Sequence, residues 1–139
     1  MKPEDLLFKK FGQIFPAGTL LFREGEACTG MFIIQKGKVR LFLQAGDEEV
    51  TLDTLGEGDF FGETACLLEQ PRLLSARTEE ESHLLFIQPE VLEELFRSQA
   101  GTGMKIVTHL ASRLKKAYET IARLSSSSEK VSERGSDLR

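Results

Sequence analysis

Cysteine is scarce in this sequence. Only Cys28 and Cys66 are present, and they lie far apart in no recognisable pattern. Small disulfide-built domains use many cysteines, and zinc sites use cysteines at short, repeated spacings. We therefore expect neither a disulfide framework nor a metal cluster, and we predict that both side chains are reduced thiols.

Long apolar runs are also missing. No stretch approaches the roughly 20 apolar residues that a membrane-spanning helix needs. The first residues, MKPED, place carboxylates where a secretory signal has its apolar core. The sequence thus predicts a soluble, cytoplasmic protein that does not contact the membrane.

Positive charge is in deficit. The chain has 18 Lys and Arg against 22 Asp and Glu, for a formal net charge of −4. Affinity for DNA comes largely from neutralising phosphates with Lys and Arg. This balance argues against a nucleic-acid-binding surface as the main feature.

Catalytic motifs are absent as well. The serines lie in no G-x-S-x-G elbow, and the glycines match neither the dinucleotide fingerprint nor the phosphate loop of nucleoside triphosphatases. Neither His83 nor His109 has a partner at metal-ligand spacing. We expect no enzyme activity, no metal site and no cofactor.

The residues that are present favour a mainly β fold. A chain of 139 residues suffices for one domain with its own core. Between residues 15 and 88, short apolar runs are separated by glycine and acidic turns, and within 39–43 and 50–53 the apolar residues partly alternate. This is typical of strands with one buried face. We predict a jelly roll over residues 15–88.

Helices are expected on both sides of the roll. Residues 3–14 begin with Pro3 and carry apolar residues at helical spacing, which predicts a short N-terminal helix. From Pro89 the pattern again becomes helical, and two C-terminal helices are expected over residues 89–124. The first of these should end at Gly101 and Gly103.

The last helix, from about Met104 to Leu124, carries the most regular pattern in the chain. Its apolar residues recur at alternating spacings of three and four, which favours a coiled coil; they are Val107, Leu110, Leu114, Ala117, Ile121 and Leu124. We predict a homodimer through this stripe, and packing of the stripe on the roll is the alternative. Residues 125–139 include a run of serines and few apolar residues, so a disordered polar tail is expected.

The most informative stretch is residues 56–78, GEGDFFGETACLLEQPRLLSART. Its glycines allow a tight turn and close approach of the backbone to an anion, just before a short helix that starts near Glu63. An ionised carboxylate there can only accept hydrogen bonds, which suits a sugar hydroxyl. Arg72, after the turn at Pro71, supplies a planar fork of donors for phosphate oxygens. A phosphate beside a sugar hydroxyl indicates a nucleotide site.

These residues resemble a known family. The segments FGETA at 61–65 and PRLLSA at 71–76 are similar to the phosphate-binding cassette of cyclic nucleotide-binding domains, whose usual form is F-G-E-[L]-A followed by P-R-[ST]-A-[ST]-V. The segments at 15–26 and 31–40 are similar to that family's opening strands, so the resemblance covers roughly residues 6–124. The family includes catabolite activators and the regulatory subunits of protein kinase A.

The resemblance implies a cassette over residues 58–76 and a set of ligand-binding residues. In the cassette these are Phe61, Gly62, Glu63, Thr64, Arg72, Leu73 and Leu74, and on the last helix Tyr118 falls where related proteins contact the base. The implied ligand is cAMP, with cGMP as the alternative. The chain departs from the family at Leu73 and Leu74, where Ser or Thr and then Ala are usual.

Two functions follow from the resemblance. The first is a stand-alone cyclic nucleotide receptor that couples binding to rearrangement of the C-terminal dimer helix and signals to a protein partner. The second is a domain that has lost its ligand and serves protein assembly, which Leu73 and Leu74 favour. The winged-helix domain of related transcription factors is not visible in the sequence, so we expect no direct DNA binding. An enzyme acting on the nucleotide would need metal ligands, and none is apparent.

Overall fold

The structure, a computed structural model, describes residues 8–137, and within that span residues 100, 102 and 127–137 are described by their backbone alone. The chain divides into two compact units, Met1–Glu93 and Glu94–Arg139. The strands lie in the first unit, and the described part of the second is almost entirely helical.

The first unit contains eight strands among the residues that the structure describes. They are β1 Gly12–Phe15, β2 Leu20–Phe22, β3 Met31–Lys36, β4 Val39–Ala45, β5 Glu48–Leu55, β6 Phe60–Phe61, β7 Ser75–Thr78 and β8 Ser82–Ile87. They form two antiparallel four-stranded sheets with the orders β1-β8-β3-β6 and β2-β7-β4-β5. Successive strands often lie in different sheets, as in a jelly roll. The predicted fold, mainly β with flanking helices, is confirmed.

The core of the roll draws on nearly every strand. Its fully packed members are Phe22, Phe32, Ile34, Val39, Leu55, Phe61, Ala76 and Leu84. Phe32 stacks on Phe61 with their ring centroids 5.1 Å apart. Because side chains alternate along a strand, Arg40 and Phe42 on β4 lie on the opposite face from Val39 and Leu41, which enter the main core cluster. Phe42 is still buried on that outer face, at 2% exposed.

The N-terminal helix differs from its prediction over residues 3–14. Residues 8–11 are helical (α1), but residues 12–14 belong to β1, and residues 3–7 lie outside the described part of the chain. Gly12 pairs with Leu85 and Phe15 pairs with Ser82, so β1 adds to the edge of the first sheet. Sheet pairing with a distant strand therefore ends the helix, and local spacing carries no signal of that strand.

Three further helices follow: α2 Glu63–Leu68, α3 Pro89–Ser98 and α4 Ala100–Asp137. Gly101 and Gly103 were expected to end a helix, but they lie in the first turns of α4. A Cβ on Gly103 would meet the ring of Phe96 at 2.7 Å, so close packing on α3 accounts for this glycine. None of the described helices is both long and apolar enough to cross a membrane.

The C-terminal tail also differs from expectation. We predicted disorder over residues 125–139, whereas α4 continues to Asp137. The sequence has no proline after Pro89, and Ser, Glu, Lys and Arg are all tolerated in a helix. The polar composition was therefore misread, since it excludes a packed core but does not end a helix.

The two cysteines correct another prediction. They were expected to be reduced thiols, but Cys28 and Cys66 form a disulfide, with their Cα atoms 5.5 Å apart. Cys28 lies in the connection from β2 to β3, and Cys66 lies on α2. The fold brings together residues that are 38 positions apart, and a spacing rule cannot detect that.

Candidate functional site

The turn that opens the cassette is built on glycine. β6 ends at the fully buried Phe61, and Gly62 then takes φ +83° before α2 begins at Glu63. This conformation disfavours any residue with a Cβ. A Cβ on Gly62 would also lie only 2.8 Å from Nη1 of Arg72. Glycine is required here both by the backbone and by the close approach of that guanidinium.

Arg72 is positioned first through its backbone. Its N–H donates to the carbonyl oxygen of Glu26 at 2.8 Å, and its own carbonyl accepts the N–H of Gly25, also at 2.8 Å. These two bonds attach the segment after α2 to the connection between β2 and β3. They set the point from which the Arg72 side chain enters the protein.

The Arg72 side chain is held inside by backbone carbonyls. Nη1 donates to Gly62 O at 2.7 Å, and Nη2 donates to Gly30 O at 2.6 Å. The guanidinium carbon lies 4.1 Å from the centre of the Phe22 ring, a cation–π contact. Arg72 is only 4% exposed, and its Nε, also buried, has no hydrogen-bond partner among the described residues.

Two carboxylates supply the negative charge around this cation. Burial lowers the pKa of Arg72 from its ordinary value, because the charged form is desolvated, and the charges of Glu26 and Glu63 oppose that shift. Glu63 is 4% exposed and stands at the start of α2, next to Gly62. The cassette therefore contains a buried acidic residue, Glu63, and a buried basic residue, Arg72, nine positions apart in sequence.

The structure brings together four of the eight ligand-binding residues predicted from sequence. Phe61, Gly62 and Glu63 are consecutive, and Arg72 reaches Gly62 directly. Thr64 is exposed on α2, Leu73 is 55% exposed and Leu74 is half-buried, so these three border the buried group. Tyr118 lies on α4 in the second unit and is 63% exposed.

The stripe predicted for dimerisation lies on α4. Val107, Leu114, Ile121 and Leu124 are each more than half exposed in the single chain, Ala117 is exposed and Leu110 is half-buried. Large apolar side chains exposed along one helix commonly mark a surface for another partner. The predicted dimer itself stays a prediction.

Several residues at the site were not found from sequence. Phe22, Gly30 and Glu26 all contact or influence Arg72, two of them through backbone carbonyls. Every residue has a backbone carbonyl, so the residue type alone does not show which carbonyls accept hydrogen bonds from Arg72. Only the resemblance of residues 15–26 to an opening strand could have pointed to Glu26.

A separate cavity of about 320 Å³ lies on the opposite face of the second sheet. Its lining includes Phe42, Ser75 and Arg77, whereas the core contains their neighbours Leu41 and Ala76. Arg77 is already paired, with Glu49 at 3.4 Å and with the carbonyl of Gly18 at 3.1 Å. Within the described part of the chain, no three His, Cys, Asp or Glu residues gather as a metal site.

Comparison with known proteins identifies related chains. The family model for the cyclic nucleotide-binding domain matches residues 13–99. The Cyclic AMP receptor protein of Thermus thermophilus is 34% identical over 115 residues, which cover 81% of this chain and 53% of that protein. A type II regulatory subunit of cAMP-dependent protein kinase from Drosophila melanogaster is 36% identical over 58 residues, covering 42% of this chain and 15% of the relative.

Solved structures agree with these matches. The Thermus thermophilus Catabolite Activator Protein superposes with a TM-score of 0.75 at 33% identity, over 90% of this chain and 61% of that one. The cAMP-bound form of the EAL enzyme Bd1971 gives a TM-score of 0.59 at 30% identity, over 79% of this chain and 30% of that one. The chain spans about half the length of the Thermus relative. Since the family model matches more than half of the sequence, the chain belongs to the cyclic nucleotide-binding domain family.

Proposed function

We propose that this chain is a receptor for a cyclic nucleotide, cAMP in preference to cGMP, bound at the cassette. The observation that carries the proposal is the Arg72 guanidinium, which is 4% exposed and has a buried Nε donor without a hydrogen-bond partner among the described residues. A buried cation costs several kcal/mol to desolvate. A phosphate that accepts from Nε would offset that cost.

The roles of the two buried charged residues follow from their chemistry. The carbonyls of Gly62 and Gly30 fix the plane of the Arg72 guanidinium, which leaves the Nε edge for the phosphate. The Glu63 carboxylate accepts a hydrogen bond from the ribose 2′-hydroxyl. The other cassette residues, Phe61, Thr64, Leu73 and Leu74, shape and border the pocket.

Tyr118 on α4 contacts the purine base in this proposal, by stacking or through its phenolic hydroxyl. Ligand then favours one arrangement of α4 over another, because the nucleotide binds that arrangement more tightly. The exposed stripe on α4 makes the homodimer that transmits this change.

With a net charge of −4, the domain acts through a protein partner in the cytoplasm and not through its own contact with DNA. Its role is regulatory and not catalytic.

The test is calorimetric titration of the full chain with cAMP and with cGMP. We expect cAMP to bind more tightly, and Arg72→Ala to weaken it about 100-fold or more, because truncating a buried charged partner costs roughly 2–5 kcal/mol. Arg72→Lys keeps the charge but loses the planar fork, and it should also bind poorly.

Arg77→Ala is the matched control, since it removes a guanidinium on the outer face of the second sheet, five residues along the chain from Arg72. It should bind cAMP like the wild type. Circular dichroism verifies that each variant is folded. If the folded wild type gave no heat with either nucleotide, the receptor proposal would be wrong, and a ligand-free assembly domain would be the better account.

A further inference from the structure

The disulfide joins the two segments that hold Arg72. Cys28 precedes Gly30, whose carbonyl accepts from Nη2, by two residues, and Cys66 follows Gly62, whose carbonyl accepts from Nη1, by four. The Cys28–Cys66 bond therefore closes a covalent path from one carbonyl anchor to the other. The bond lies close to the buried cation, since Sγ of Cys28 is 3.7 Å from Gly30 O, which accepts from Nη2 of Arg72.

We infer that Cys28 and Cys66 form a reversible thiol–disulfide site that sets the nucleotide affinity of the cassette. The inference rests on the proposed receptor function and on a cytoplasmic location. In the reducing cytoplasm, disulfides are mostly transient and serve catalysis or redox sensing. A pair placed beside a ligand site is suited to the second role.

Neither cysteine is fully buried. Cys28 and Cys66 are each half-buried, and their neighbours Ala27, Thr29 and Leu67 are exposed. A buried structural cystine would resist reduction simply because nothing could reach it. Access to the sulfur atoms is a condition for reversible chemistry, and the partial exposure of both cysteines favours it.

The chemistry is a two-electron exchange with a dithiol reductant. One thiolate of the reductant attacks a sulfur of the Cys28–Cys66 bond and forms a mixed disulfide, and the other cysteine leaves as a thiolate. The second thiol of the reductant then displaces the remaining cysteine. The reductant is oxidised to its own disulfide, and after protonation Cys28 and Cys66 are two thiols.

Reduction should weaken the contacts that hold the Arg72 side chain in two ways. A Cβ on Gly30 would lie 2.5 Å from the Phe86 ring, so Gly30 is fixed by close packing on β8, and loss of the bond releases mainly the α2 side. In addition, Sγ of Cys28 lies 3.7 Å from Gly30 O. Once it carries a proton, that sulfur becomes a weak donor to the carbonyl that Arg72 Nη2 uses.

The expected result is tighter binding in the oxidised form. A bridge that holds both anchors in place removes part of the ordering cost of binding. We expect reduction to weaken cAMP binding about tenfold, which corresponds to immobilising one or two side chains.

The experiment compares oxidised and reduced full-length protein by calorimetric titration with cAMP. Mass spectrometry verifies the oxidation state, and dithiothreitol is the reductant. The Cys28→Ser/Cys66→Ser variant is a permanently unbridged control, which should bind like the reduced wild type and be indifferent to dithiothreitol. A second readout needs no nucleotide: hydrogen exchange across residues 62–72 should be faster after reduction.

The outcomes separate this inference from the receptor proposal. If oxidised, reduced and doubly substituted proteins bind cAMP equally, or if the reduced form binds more tightly, the redox inference is overturned while the receptor stands. If no form binds cAMP, the receptor proposal fails, and hydrogen exchange then decides whether the bond restrains the cassette at all. If hydrogen exchange across residues 62–72 were also unchanged after reduction, the claim that the disulfide restrains the cassette would be wrong.

Discussion

Arg72 and Arg77 are five residues apart in sequence, yet they meet opposite environments. Arg72 lies on the core side, 4% exposed, with its Nη groups on two backbone carbonyls and the Phe22 ring against its plane. Arg77 lies on the outer side of the second sheet, paired with Glu49 and packed on the Phe42 ring at 5.7 Å. Each guanidinium thus has a phenylalanine ring beneath it, but Arg77 pairs with a carboxylate, whereas the Nη groups of Arg72 donate to backbone carbonyls.

In the proposed function, this difference separates an arginine that stabilises the fold, Arg77, from one that binds a ligand, Arg72. On the outer face, Arg40, Glu49 and Glu79 extend the Arg77 pair into a network with distances of 2.7 to 3.4 Å, so the charges there are balanced. In the cassette the guanidinium is oriented by dipoles and keeps Nε without a partner among the described residues. An arrangement that fixes the guanidinium plane but leaves the Nε donor unused suits binding of an anion such as a phosphate.

Substitution of Gly62 should cause the largest loss of cAMP affinity among these predictions, because it displaces Arg72 but not Arg77. Gly62→Ala would add strain at φ +83° and would place a Cβ 2.8 Å from Arg72 Nη1, which displaces the guanidinium. We expect cAMP affinity to fall about 100-fold, as for loss of a buried charged contact. Titration calorimetry measures this.

Gly58→Ala is its matched control. Gly58 has φ +88°, and no described atom lies within 4 Å of a Cβ built on it. It therefore carries the same backbone cost without displacing Arg72. Equal losses of affinity in the two variants would mean that backbone strain alone, and not the Arg72 contact, governs binding.

The two phenylalanines offer the next sharpest test. Phe22→Leu and Phe42→Leu each remove a buried ring from beneath a guanidinium, and each should cost roughly 1–1.5 kcal/mol of stability. Only Phe22→Leu should weaken cAMP binding, by about tenfold, because a desolvated cation–π contact is worth up to about 2 kcal/mol. Denaturant unfolding and titration together measure both effects, and an equal loss of affinity in the two variants would contradict our distinction.

Leu73 should affect binding in the other direction. Leu73→Ser restores the hydroxyl that the family usually has, and an added hydrogen bond is worth roughly 0.5–1.5 kcal/mol, so affinity for cAMP should rise about fivefold. Because Leu73 is 55% exposed, stability should hardly change. Leu68→Ser, at an exposed leucine of α2, is the control, and an equal gain there would show that general polarity is responsible.

The smallest expected effect is a pH-dependent contribution of Glu49, on the outer face, to the stability of the fold. The hydrogen bond from Arg40 holds the pKa of Glu49 below its usual value, so this carboxylate stabilises the fold above its unfolded-state pKa and loses that contribution as pH falls through the folded-state value. Glu49→Gln should therefore lower Tm slightly at neutral pH and by less toward about pH 4, near the ordinary range of a glutamate. A Tm difference that does not depend on pH would contradict this.

Much of the roll could be predicted from sequence, because alternation and turn residues are local signals. β4 and β5 were placed within a few residues, and α2 began where the glycine turn ended. β1 and the two-residue β6 were missed, since they exist only through pairing with β8 and β3. Strand pairing between distant segments leaves no periodicity in the segments themselves.

At the site, side-chain chemistry could be predicted but backbone chemistry could not. Glu63 and Arg72 were identified from residue type and spacing, and both are buried in the cassette. The carbonyl of Gly30 and the partnership of Cys28 with Cys66 depend on how the β2–β3 connection folds over α2. The helix beyond residue 124 was missed because polar composition was read as disorder.

The central claim, that Arg72 keeps its Nε for a phosphate, is tested most directly by NMR of arginine Nε–H groups during titration with cAMP. We predict that the Arg72 Nε–H signal, identified by its loss in Arg72→Lys, moves downfield to saturation, while the Arg77 signal, assigned through Arg77→Lys, stays in place. An Arg72 signal that does not move while cAMP binds elsewhere, or a larger shift at Arg77, would contradict the claim.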